Sequence, residues 1–338
     1  MKSQSVVIEG KDLSVGYSRG KQEVVVHKGL NFQLCRGELA CLLGSNGAGK
    51  STLLRTLAAV QNPLAGEITL LGKPLRSYSP RERSRTIGIV LTDKTQAGGL
   101  SVRELVALGR QPHTGFFGRL DKEDNRLIDH AMEAVGIAEK SSAYTAELSD
   151  GERQKVMIAK ALVQECPLIL LDEPTAFLDV VSRIEIMTLL HRLASEEQRA
   201  ILMSTHDIEQ ALVLGDKLWL LKKNEGLSCG VTEDMILGHH MDTLFPHEDI
   251  RFDSMHGIYS PAVKGGNSVC LTASDETLRH WTQNALNRNG YLCLAPQSSD
   301  DKNSQIPLLN VRSSNDLILT RSGCQEHYAS FQDLLDAL

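Results

Sequence analysis

The stretch Gly44-Ser45-Asn46-Gly47-Ala48-Gly49-Lys50-Ser51 follows the pattern G-x-x-x-x-G-K-[ST] of a phosphate-binding loop. It lies between an apolar run, 39–43, and a segment, 52–60, whose leucines fall on one helical face. This context predicts a buried parallel strand, a loop and a helix, which argues against a glycine-rich turn that matches by accident. Backbone N–H groups of such a loop and the start of its helix can hold phosphates, with Lys50 adding positive charge and Ser51 a hydroxyl for Mg²⁺. The stretch therefore predicts a nucleotide site.

Composition limits the classes of protein to which the chain could belong. Its 338 residues allow one large domain with an appendage, or two domains. Aromatic content of 4% and a net charge of −6 argue against a nucleic-acid-binding surface. The seven scattered cysteines lack any C-x-x-C pair and indicate reduced thiols of a cytosolic protein. We find neither a signal peptide nor an apolar run of membrane-spanning length, so a role at a membrane would require a separate partner.

Further along, the chain predicts three parts of an α/β fold. Alternating apolar segments in 6–35 predict an antiparallel β-subdomain, and 95–165 reads as a helical insertion. Apolar strands are expected at 86–91, 168–171 and 200–204, and 217–221 is expected to close the sheet. Capping-box spacing predicts helices that open at Ser101, Ser149 and Ser182, and Ser274 is predicted to cap a further helix.

Domain boundaries follow from these patterns. We predict a nucleotide-binding domain at 1–230, a connecting segment at 231–266 and a small C-terminal α/β domain at 267–338. The last domain contains no motif that indicates a function.

Two adjacent carboxylates, Asp172 and Glu173, end the strand at 168–171. Acids at the carboxyl end of a parallel strand face the nucleotide crevice of an open α/β sheet, where one can hold Mg²⁺ through water. Neighbouring side chains point in different directions, so the second is available for another role. Tyr17 is either a tyrosine at a strand end or an aromatic that stacks on a purine base.

Five motifs in the expected order resemble the nucleotide-binding subunit of ATP-binding-cassette (ABC) transporters, over about residues 6–225. The resemblance implies a P-loop NTPase fold with a RecA-like core, an antiparallel β-subdomain and a helical subdomain. The motifs are the Walker A loop at 44–51, the signature at 148–152, Walker B with the catalytic glutamate at 168–173, the D-loop at 176–179 and the switch histidine, His206.

The resemblance implies ATP and Mg²⁺ as cofactors and assigns roles to individual residues. Glu173 would polarise the attacking water, His206 would bridge water and γ-phosphate, and Lys50 would neutralise developing charge. Mg²⁺ would be held by Ser51 and Asp172, with Thr92 as a third candidate. The residues expected to contact ATP are Tyr17, Gly44, Ser45, Asn46, Gly47, Ala48, Gly49, Lys50, Ser51, Thr52, Ser149, Gly151 and Asp179.

The implied partners are a second copy of the chain and a membrane permease, with a substrate-binding protein acting indirectly. In this family two subunits form a head-to-tail dimer in which each ATP lies between the Walker A loop of one copy and the signature of the other. A capped helix that begins at Ser149 suits this task, because its N–H groups and positive dipole end attract phosphate. Asp179 would link the two sites. The expected location is peripheral, at the cytoplasmic face of the membrane.

Two departures from the family pattern affect this site. The signature has Asp150 and Glu152 where glycine and glutamine are usual, and we expect both side chains to face away from the phosphate. Thr92 stands where the family usually has a glutamine that reaches Mg²⁺ and reports to the permease. Asp93 or Gln96 could take over that role.

The segments 108–115 and 118–120 resemble importers of iron–siderophore complexes, haem or cobalamin. We therefore expect an ATPase subunit that drives such an importer. The alternatives are a soluble ABC ATPase outside transport and a weakly hydrolysing regulatory ATP-binding protein. We interpret His113 as a loop histidine near a permease-docking groove rather than a metal ligand. The other histidines with a possible metal-binding role, interpreted here as solvated, are His239, His240, His247 and His256.

Overall fold

The computed structural model describes residues 5–19, 22–91, 99–115, 118–223, 225–245, 247–262, 266–294 and 306–338. These residues form two compact units, one built from residues before 247 together with 252–258, the other from 247–251 and from 259 onward. The mixed α/β class expected from the sequence is confirmed. No helix among these residues is both long and apolar enough to cross a lipid bilayer.

The strands, numbered in chain order, are β1 (Val6–Arg19), β2 (Gln22–Cys35), β3 (Leu39–Leu43), β4 (Ala65–Leu70), β5 (Lys73–Pro74), β6 (Ile87–Val90), β7 (Leu168–Asp172), β8 (Ala200–Ser204), β9 (Lys217–Lys222), β10 (Gly226–Val231), β11 (Ile250–Asp253), β12 (Ile258–Pro261), β13 (Asn267–Ala273), β14 (Tyr291–Leu294), β15 (Leu308–Ser313), β16 (Asp316–Arg321) and β17 (Cys324–Tyr328). The helices are α1 (Lys50–Leu57), α2 (Pro80–Ser84), α3 (Val102–Ala107), α4 (Lys122–Ala134), α5 (Asp150–Leu162), α6 (Val180–Glu197), α7 (Ile208–Leu214), α8 (Thr232–Leu237), α9 (Glu276–Arg288) and α10 (Phe331–Ala337).

A six-stranded sheet forms the centre of the first unit, in the order β10-β9-β3-β8-β7-β6. Neighbours from β9 to β6 run parallel, so their carboxyl ends lie at one edge of the sheet. The expectation that 217–221 closes the sheet was wrong, because β10 adds an antiparallel edge strand beyond β9. A strand with Ser228, Cys229 and Gly230 lacks the apolar run by which buried strands are recognised.

The expected antiparallel β-subdomain is present as a second sheet, in the order β2-β1-β4-β5. The short apolar segments of 6–35 merge into two 14-residue strands whose pairing is interrupted by register shifts. Such bulges let a strand continue across polar residues that read as turns in the sequence. Buried leucines of this sheet and of α1 belong to the same apolar core as the central sheet, so the phosphate-loop helix is held from both sides.

Three helices, α3, α4 and α5, pack against one another as the predicted helical insertion. Ser101 and Ser149 form capping boxes with Glu104 and Glu152, as their spacing predicts. The helix that Ser101 opens ends at Ala107 and is followed by a short 3-10 segment before Pro112.

Two predicted helix starts were misplaced. The helix assigned to Ser182 begins at Val180, because Asp179 accepts a hydrogen bond from the Ser182 amide and takes the cap one turn earlier. In the second unit Asp275, rather than Ser274, caps α9.

The second unit has a five-stranded sheet in the order β14-β13-β15-β16-β17. The first three strands are parallel neighbours, and β16 and β17 add antiparallel hairpins. Leucines of both α9 and α10 join the sheet residues in one small apolar core. Residues 295–305 lie outside the described residues.

Candidate nucleotide-binding and catalytic site

The phosphate-loop residues connect β3 directly to α1, at the carboxyl edge of the central sheet. Gly49 has φ of +98° and its Cβ would lie 2.6 Å from Val26, so only glycine fits there without strain. A Cβ at Gly44 would lie 2.5 Å from the Leu221 carbonyl oxygen. The turn between them is closed by the Ala48 amide, which donates to the Ser45 carbonyl at 3.1 Å. The glycine pattern is therefore required by a close approach to neighbouring strands.

Lys50 is only 6% exposed, and its ammonium group lies inside the turn of the loop. Its Nζ donates to the Gly44 carbonyl at 2.9 Å and lies 3.5 Å from the Ser45 carbonyl. Burial lowers the pKa of Lys50, and the nearby carboxylates of Glu173 and Asp172 act in the opposite direction. The loop thus holds a desolvated cation surrounded by oxygen acceptors.

Glu173 and His206 meet at the same point. His206 Nε2 lies 2.9 Å from Glu173 Oε1 and 3.2 Å from Lys50 Nζ. A carboxylate only accepts hydrogen bonds, so the shorter contact assigns the proton to Nε2, which donates to Glu173. Lys50 then directs its own protons to the loop carbonyls. The sequence assigned these three residues to catalysis, and the structure brings them into one cluster.

Glu173 adopts a left-handed backbone conformation, with φ of +49°. Its amide donates to the carbonyl of Ser204 at 3.1 Å and contacts the hydroxyl of the same residue at 3.0 Å. Non-glycine residues in this conformation are uncommon and are held by their surroundings. The strand end thereby turns the carboxylate of Glu173 toward His206, while the carboxylate of Asp172 lies beside Ser51 and Ser204.

Asp172 and Ser51 place two hard oxygen donors close together. Ser51 Oγ lies 3.4 Å from Asp172 Oδ1, and Ser204 Oγ donates to the same oxygen at 2.6 Å. A hydroxyl and a carboxylate beside a phosphate loop are the donor types that Mg²⁺ prefers. Thr92, the third metal candidate, lies outside the described residues, as do the suggested substitutes Asp93 and Gln96.

Tyr17 lies at the outer end of this site. It is 42% exposed, and its hydroxyl is hydrogen-bonded to the hydroxyl of Thr52, the third residue of α1. Since Thr52 follows the phosphate loop directly, this contact places the tyrosine ring beside the loop. An exposed ring face there is open to a base, as stacking would require.

The remaining predicted contacts lie around the starts of α5 and α6. Ser149 caps α5, and a Cβ on Gly151 would lie 3.0 Å from the hydroxyl of Ser182. Asp179 accepts hydrogen bonds from the amide and the hydroxyl of that same serine, at 2.9 and 3.0 Å. The Ser182 amide lowers the pKa of Asp179. Signature and D-loop residues are therefore neighbours, grouped around Ser182.

The two unusual acids of the signature have partners within this part of the molecule. Asp150 pairs with Arg153 at 2.8 Å. Glu152 accepts from the Ser149 amide at 2.9 Å and pairs with Lys140. Two hydrogen bonds lower the pKa of Glu152 to about 2. The larger effect comes from Lys140 and the smaller from the Ser149 amide.

Three of the histidines considered as metal ligands contact other groups of the protein. His113 Nε2 lies 3.0 Å from the Gln164 carbonyl, to which it can only donate. His239 and His256 each contact an aspartate three residues away, Asp242 and Asp253 respectively. The described residues contain no group of three or more histidine, cysteine or acidic side chains that could hold a metal ion.

Sequence reasoning missed His27 and Ser204, two buried polar residues that support the site. His27 Nε2 lies 2.5 Å from the carbonyl of Ala48 and so donates to the phosphate loop. Ser204 contacts both Asp172 and the Glu173 amide. Their signal in the sequence is a polar residue at the end of an apolar run, 24–26 before His27 and 200–203 before Ser204, which a buried position tolerates only with a hydrogen-bond partner.

His27→Leu is expected to lower the free energy of unfolding by about 1–3 kcal/mol, because it removes the donor to the buried Ala48 carbonyl. Urea denaturation followed by circular dichroism measures this change. His130→Leu is the matched control, since His130 is exposed on α4 and its replacement should change stability by less than about 0.5 kcal/mol. Equal unfolding midpoints for the two variants would show that His27 does not hold the loop.

Comparison with known proteins places this site in context. The ABC transporter family model matches residues 27–176, and the model described as the iron ABC transporter C-terminal domain matches residues 266–338. An uncharacterised ABC transporter ATP-binding protein of Methanocaldococcus jannaschii is 38% identical over 253 residues, covering 75% of this chain and 86% of the relative.

Two further relatives have names that refer to iron complexes. The iron(3+)-hydroxamate import ATP-binding protein of Bacillus subtilis is 38% identical, covering 67% of this chain and 82% of the relative. The ferric enterobactin transport ATP-binding protein of Escherichia coli is 33% identical, covering 70% and 86%.

Solved structures resemble the chain as well. An inward-facing transporter described as of metal-chelate type matches with a TM-score of 0.63 and 27% identity, over 77% of this chain and 98% of the other. The dimeric structure of a bacterial ABC transporter cassette matches with a TM-score of 0.57 and 28% identity, over 67% and 98%.

Proposed function

The chain belongs to the ATP-binding proteins of ABC transporters, and on this premise we propose that it powers import of an iron complex, a siderophore or haem, or of cobalamin through a separate membrane permease. It is an ABC-type ATPase with a P-loop fold. The observation that supports its catalytic role is the convergence of Lys50, Glu173 and His206 on one point. The relatives named for iron(3+)-hydroxamate and ferric enterobactin support the substrate class.

In the proposed hydrolysis, Glu173 accepts a proton from the attacking water while His206 orients it. The Nε2–H group of His206 fixes the carboxylate of Glu173, which leaves the second oxygen, Oε2, for water. Lys50 directs its ammonium group at the phosphates in place of the loop carbonyls and offsets the charge that develops in the transition state. The reaction thus needs little covalent chemistry from the protein and depends on positioning.

Mg²⁺ fits the oxygen donors described above, and we propose Ser51 and Asp172 as the residues that hold it. When bound, the ion would neutralise charge on the phosphates. Ser204 orients Asp172 through its 2.6 Å hydrogen bond, as expected for a residue behind a metal ligand. Thr92 stays an untested candidate for this shell.

We propose that two copies of the chain associate head to tail, with ATP between the Walker A loop of one and the signature of the other. The predicted contacts fall into two groups in this chain, one around Lys50 and one around Ser182, as such a division of the site requires. A solved ABC cassette that matches this fold is dimeric. Asp179 and Gly151 both lie next to Ser182. From this position Asp179 would connect the two ATP sites.

A cavity of 920 Å³ between the central sheet and the helical insertion is the proposed docking site for the permease. Ile89 and Leu108, both more than one-third exposed, offer apolar surface there. Arg81 bridges to the carbonyls of Pro112 and Thr114, each at 3.2 Å, and so joins the two walls. Docking at this cavity would hold the chain at the cytoplasmic face of the membrane, as a peripheral subunit that binds no nucleic acid.

We propose the domain limits expected from the sequence, a cassette at 1–230, a connecting segment at 231–266 and a C-terminal domain at 267–338. For the last we propose a regulatory or dimer-stabilising role, because it has its own core and no catalytic motif. A chain that ends at residue 264 and retains full ATPase activity, dimerisation and transport would contradict this role.

The test of the proposed function is uptake of radiolabelled iron complexes and cobalamin by vesicles that contain the co-purified permease and the chain. We expect ATPase activity to rise when the permease and its loaded substrate-binding protein are present. Turnover that does not respond to the permease would favour the soluble ATPase, and no turnover even with the permease would favour a regulatory ATP-binding protein.

A further inference from the structure

The start of α5 carries two negative charges where the proposed dimer brings it near the triphosphate of the other copy. Asp150 and Glu152 both lie in the first turn of this helix. Acids suit the helix dipole but oppose an incoming phosphate. Each acid has one basic partner, Arg153 for Asp150 and Lys140 for Glu152. These four side chains sum to no net charge.

The two partners differ in origin. Arg153 belongs to α5 itself, three residues after Asp150, and its Nη2 also donates to the Leu148 carbonyl at 2.9 Å. Lys140 comes from a separate 3-10 segment, Ala138–Lys140, twelve residues before Glu152. The neutralisation of Glu152 therefore depends on a residue outside the signature, at a position that no motif marks.

We propose that Lys140 is a positioning residue that neutralises Glu152 and holds its carboxylate against the start of α5, so that this helix end can receive the phosphates of ATP bound to a second copy of the chain. The proposal rests on the proposed function, because it takes the head-to-tail dimer as given. One oxygen of Glu152 is held by the Ser149 amide at 2.9 Å and the other by Lys140. Both oxygens thus have donors in the same chain.

Electrostatics explain why this pairing matters. Glu152 is ionised at neutral pH, since Lys140 and the Ser149 amide lower its pKa to about 2. Without Lys140, the helix start would carry one uncompensated negative charge at the surface that meets the triphosphate. Near a protein surface, one such charge is enough to change binding roughly tenfold.

A purely structural role for Lys140 predicts that its removal lowers the stability of the fold, which the proposed role does not. Its side chain is about half exposed, and exposed ion pairs contribute little to folding stability. Removing Lys140 should therefore leave unfolding almost unchanged and act on ATP-dependent association alone. The charge of Glu152, rather than the packing of Lys140, should decide the outcome.

The experiment uses the full chain with Glu173→Gln, a change expected to preserve ATP-bound dimers. Light scattering measures the ATP concentration that gives half-maximal dimer. Adding Lys140→Met should raise this concentration roughly tenfold, and adding Glu152→Gln as well should restore it, because an amide oxygen still accepts from the Ser149 amide. In the chain with Glu173 intact, Lys140→Met should raise the KM for ATP more than it lowers kcat.

Lys155→Met is the matched control. Lys155 lies on the same helix and pairs with Glu185 at 2.7 Å, but beyond the first turn. It should leave the half-maximal ATP concentration unchanged. In 0.5 M NaCl the effect of Lys140→Met should shrink, since salt screens an exposed charge.

Each outcome decides the inference. An unchanged ATP concentration for Lys140→Met overturns it, as does a defect that Glu152→Gln fails to rescue. A Glu173→Gln chain that never dimerises with ATP contradicts the proposed dimer itself, and the inference is lost with it. Dimerisation of that chain combined with no effect of Lys140→Met overturns the inference alone.

Discussion

Glu173→Gln is expected to lower kcat for ATP hydrolysis by about 10²–10⁴-fold, the usual contribution of a positioned general base. The glutamine amide oxygen can still accept the hydrogen bond that His206 Nε2 donates to Glu173 Oε1 at 2.9 Å. Geometry is therefore kept while basicity is lost. Single-turnover hydrolysis of radiolabelled ATP measures the rate without interference from product release.

The same variant should bind ATP and accumulate as a dimer, because the contacts to phosphate do not involve the basicity of Glu173. Light scattering with ATP, and with ADP as the comparison, follows this association. Glu185→Gln is the matched control, since Glu185 lies on α6 and pairs with Lys155 away from the loop. Turnover within tenfold of wild type would remove Glu173 from the role of base, and a monomer in ATP would contradict the head-to-tail dimer.

Local patterns were enough to predict the centre of this site. The loop at 44–51 combines a buried apolar strand, glycines and a helix with an apolar face, and all of these signals lie within about twenty residues. Asp172 and Glu173 were found for a similar reason, since they directly follow an apolar strand. Where the fold depends on such short-range signals, sequence and structure agree.

Residues that depend on contacts between distant segments were missed. His27 reaches Ala48 only because β2 runs beside the loop, and Ser204 reaches Asp172 only because β8 pairs with β7. Neither neighbour relation can be read from the spacing along the chain. Lys140 is a third case, because its partner Glu152 is set by how the 3-10 segment packs near α5.

The misplaced helix start at Ser182 has a different cause. Asp179 and Ser182 are both good capping residues, and the pattern S-x-x-E at 182–185 favoured the later one. The structure assigns the cap to Asp179 and makes Ser182 its donor. The spacing along the chain does not distinguish the two, because each is followed by an amide three residues later that it could accept from.

Strand β17 escaped prediction because Cys324–Tyr328 is largely polar and exposed. An edge strand that pairs through its backbone on one side needs no apolar run, so its signal in the sequence is weak. The same holds for β10 in the first unit.

Lys50→Met is expected to weaken ATP binding by about 10–100-fold, the range of a lost hydrogen bond to a charged group, and to lower kcat by a further ~10²–10³-fold. The reason is the position of the ammonium group, enclosed by the loop and in contact with His206 Nε2 at 3.2 Å. Methionine has a side chain of similar length and fills the same space. Isothermal titration with ATP and steady-state ATPase assays measure the two effects.

Stability should respond in another way. Burial lowers the pKa of Lys50, which means that its charge is held at a desolvation cost in the folded protein. Methionine relieves that cost but loses the 2.9 Å hydrogen bond to the Gly44 carbonyl, so the opposing changes should leave the free energy of unfolding within about 1 kcal/mol of wild type. Function would be lost without loss of the fold, as expected where a residue is kept for its chemistry.

Lys122→Met provides the matched control, because Lys122 is exposed at the start of α4 and should change neither ATP binding nor turnover. A free energy of unfolding that falls by several kcal/mol in Lys50→Met would show that Lys50 acts mainly as a structural residue of the loop. Unchanged ATP affinity would remove it from the binding site. A stable, folded chain that binds ATP more weakly and hydrolyses it far more slowly is the result that assigns phosphate binding to the buried ammonium group.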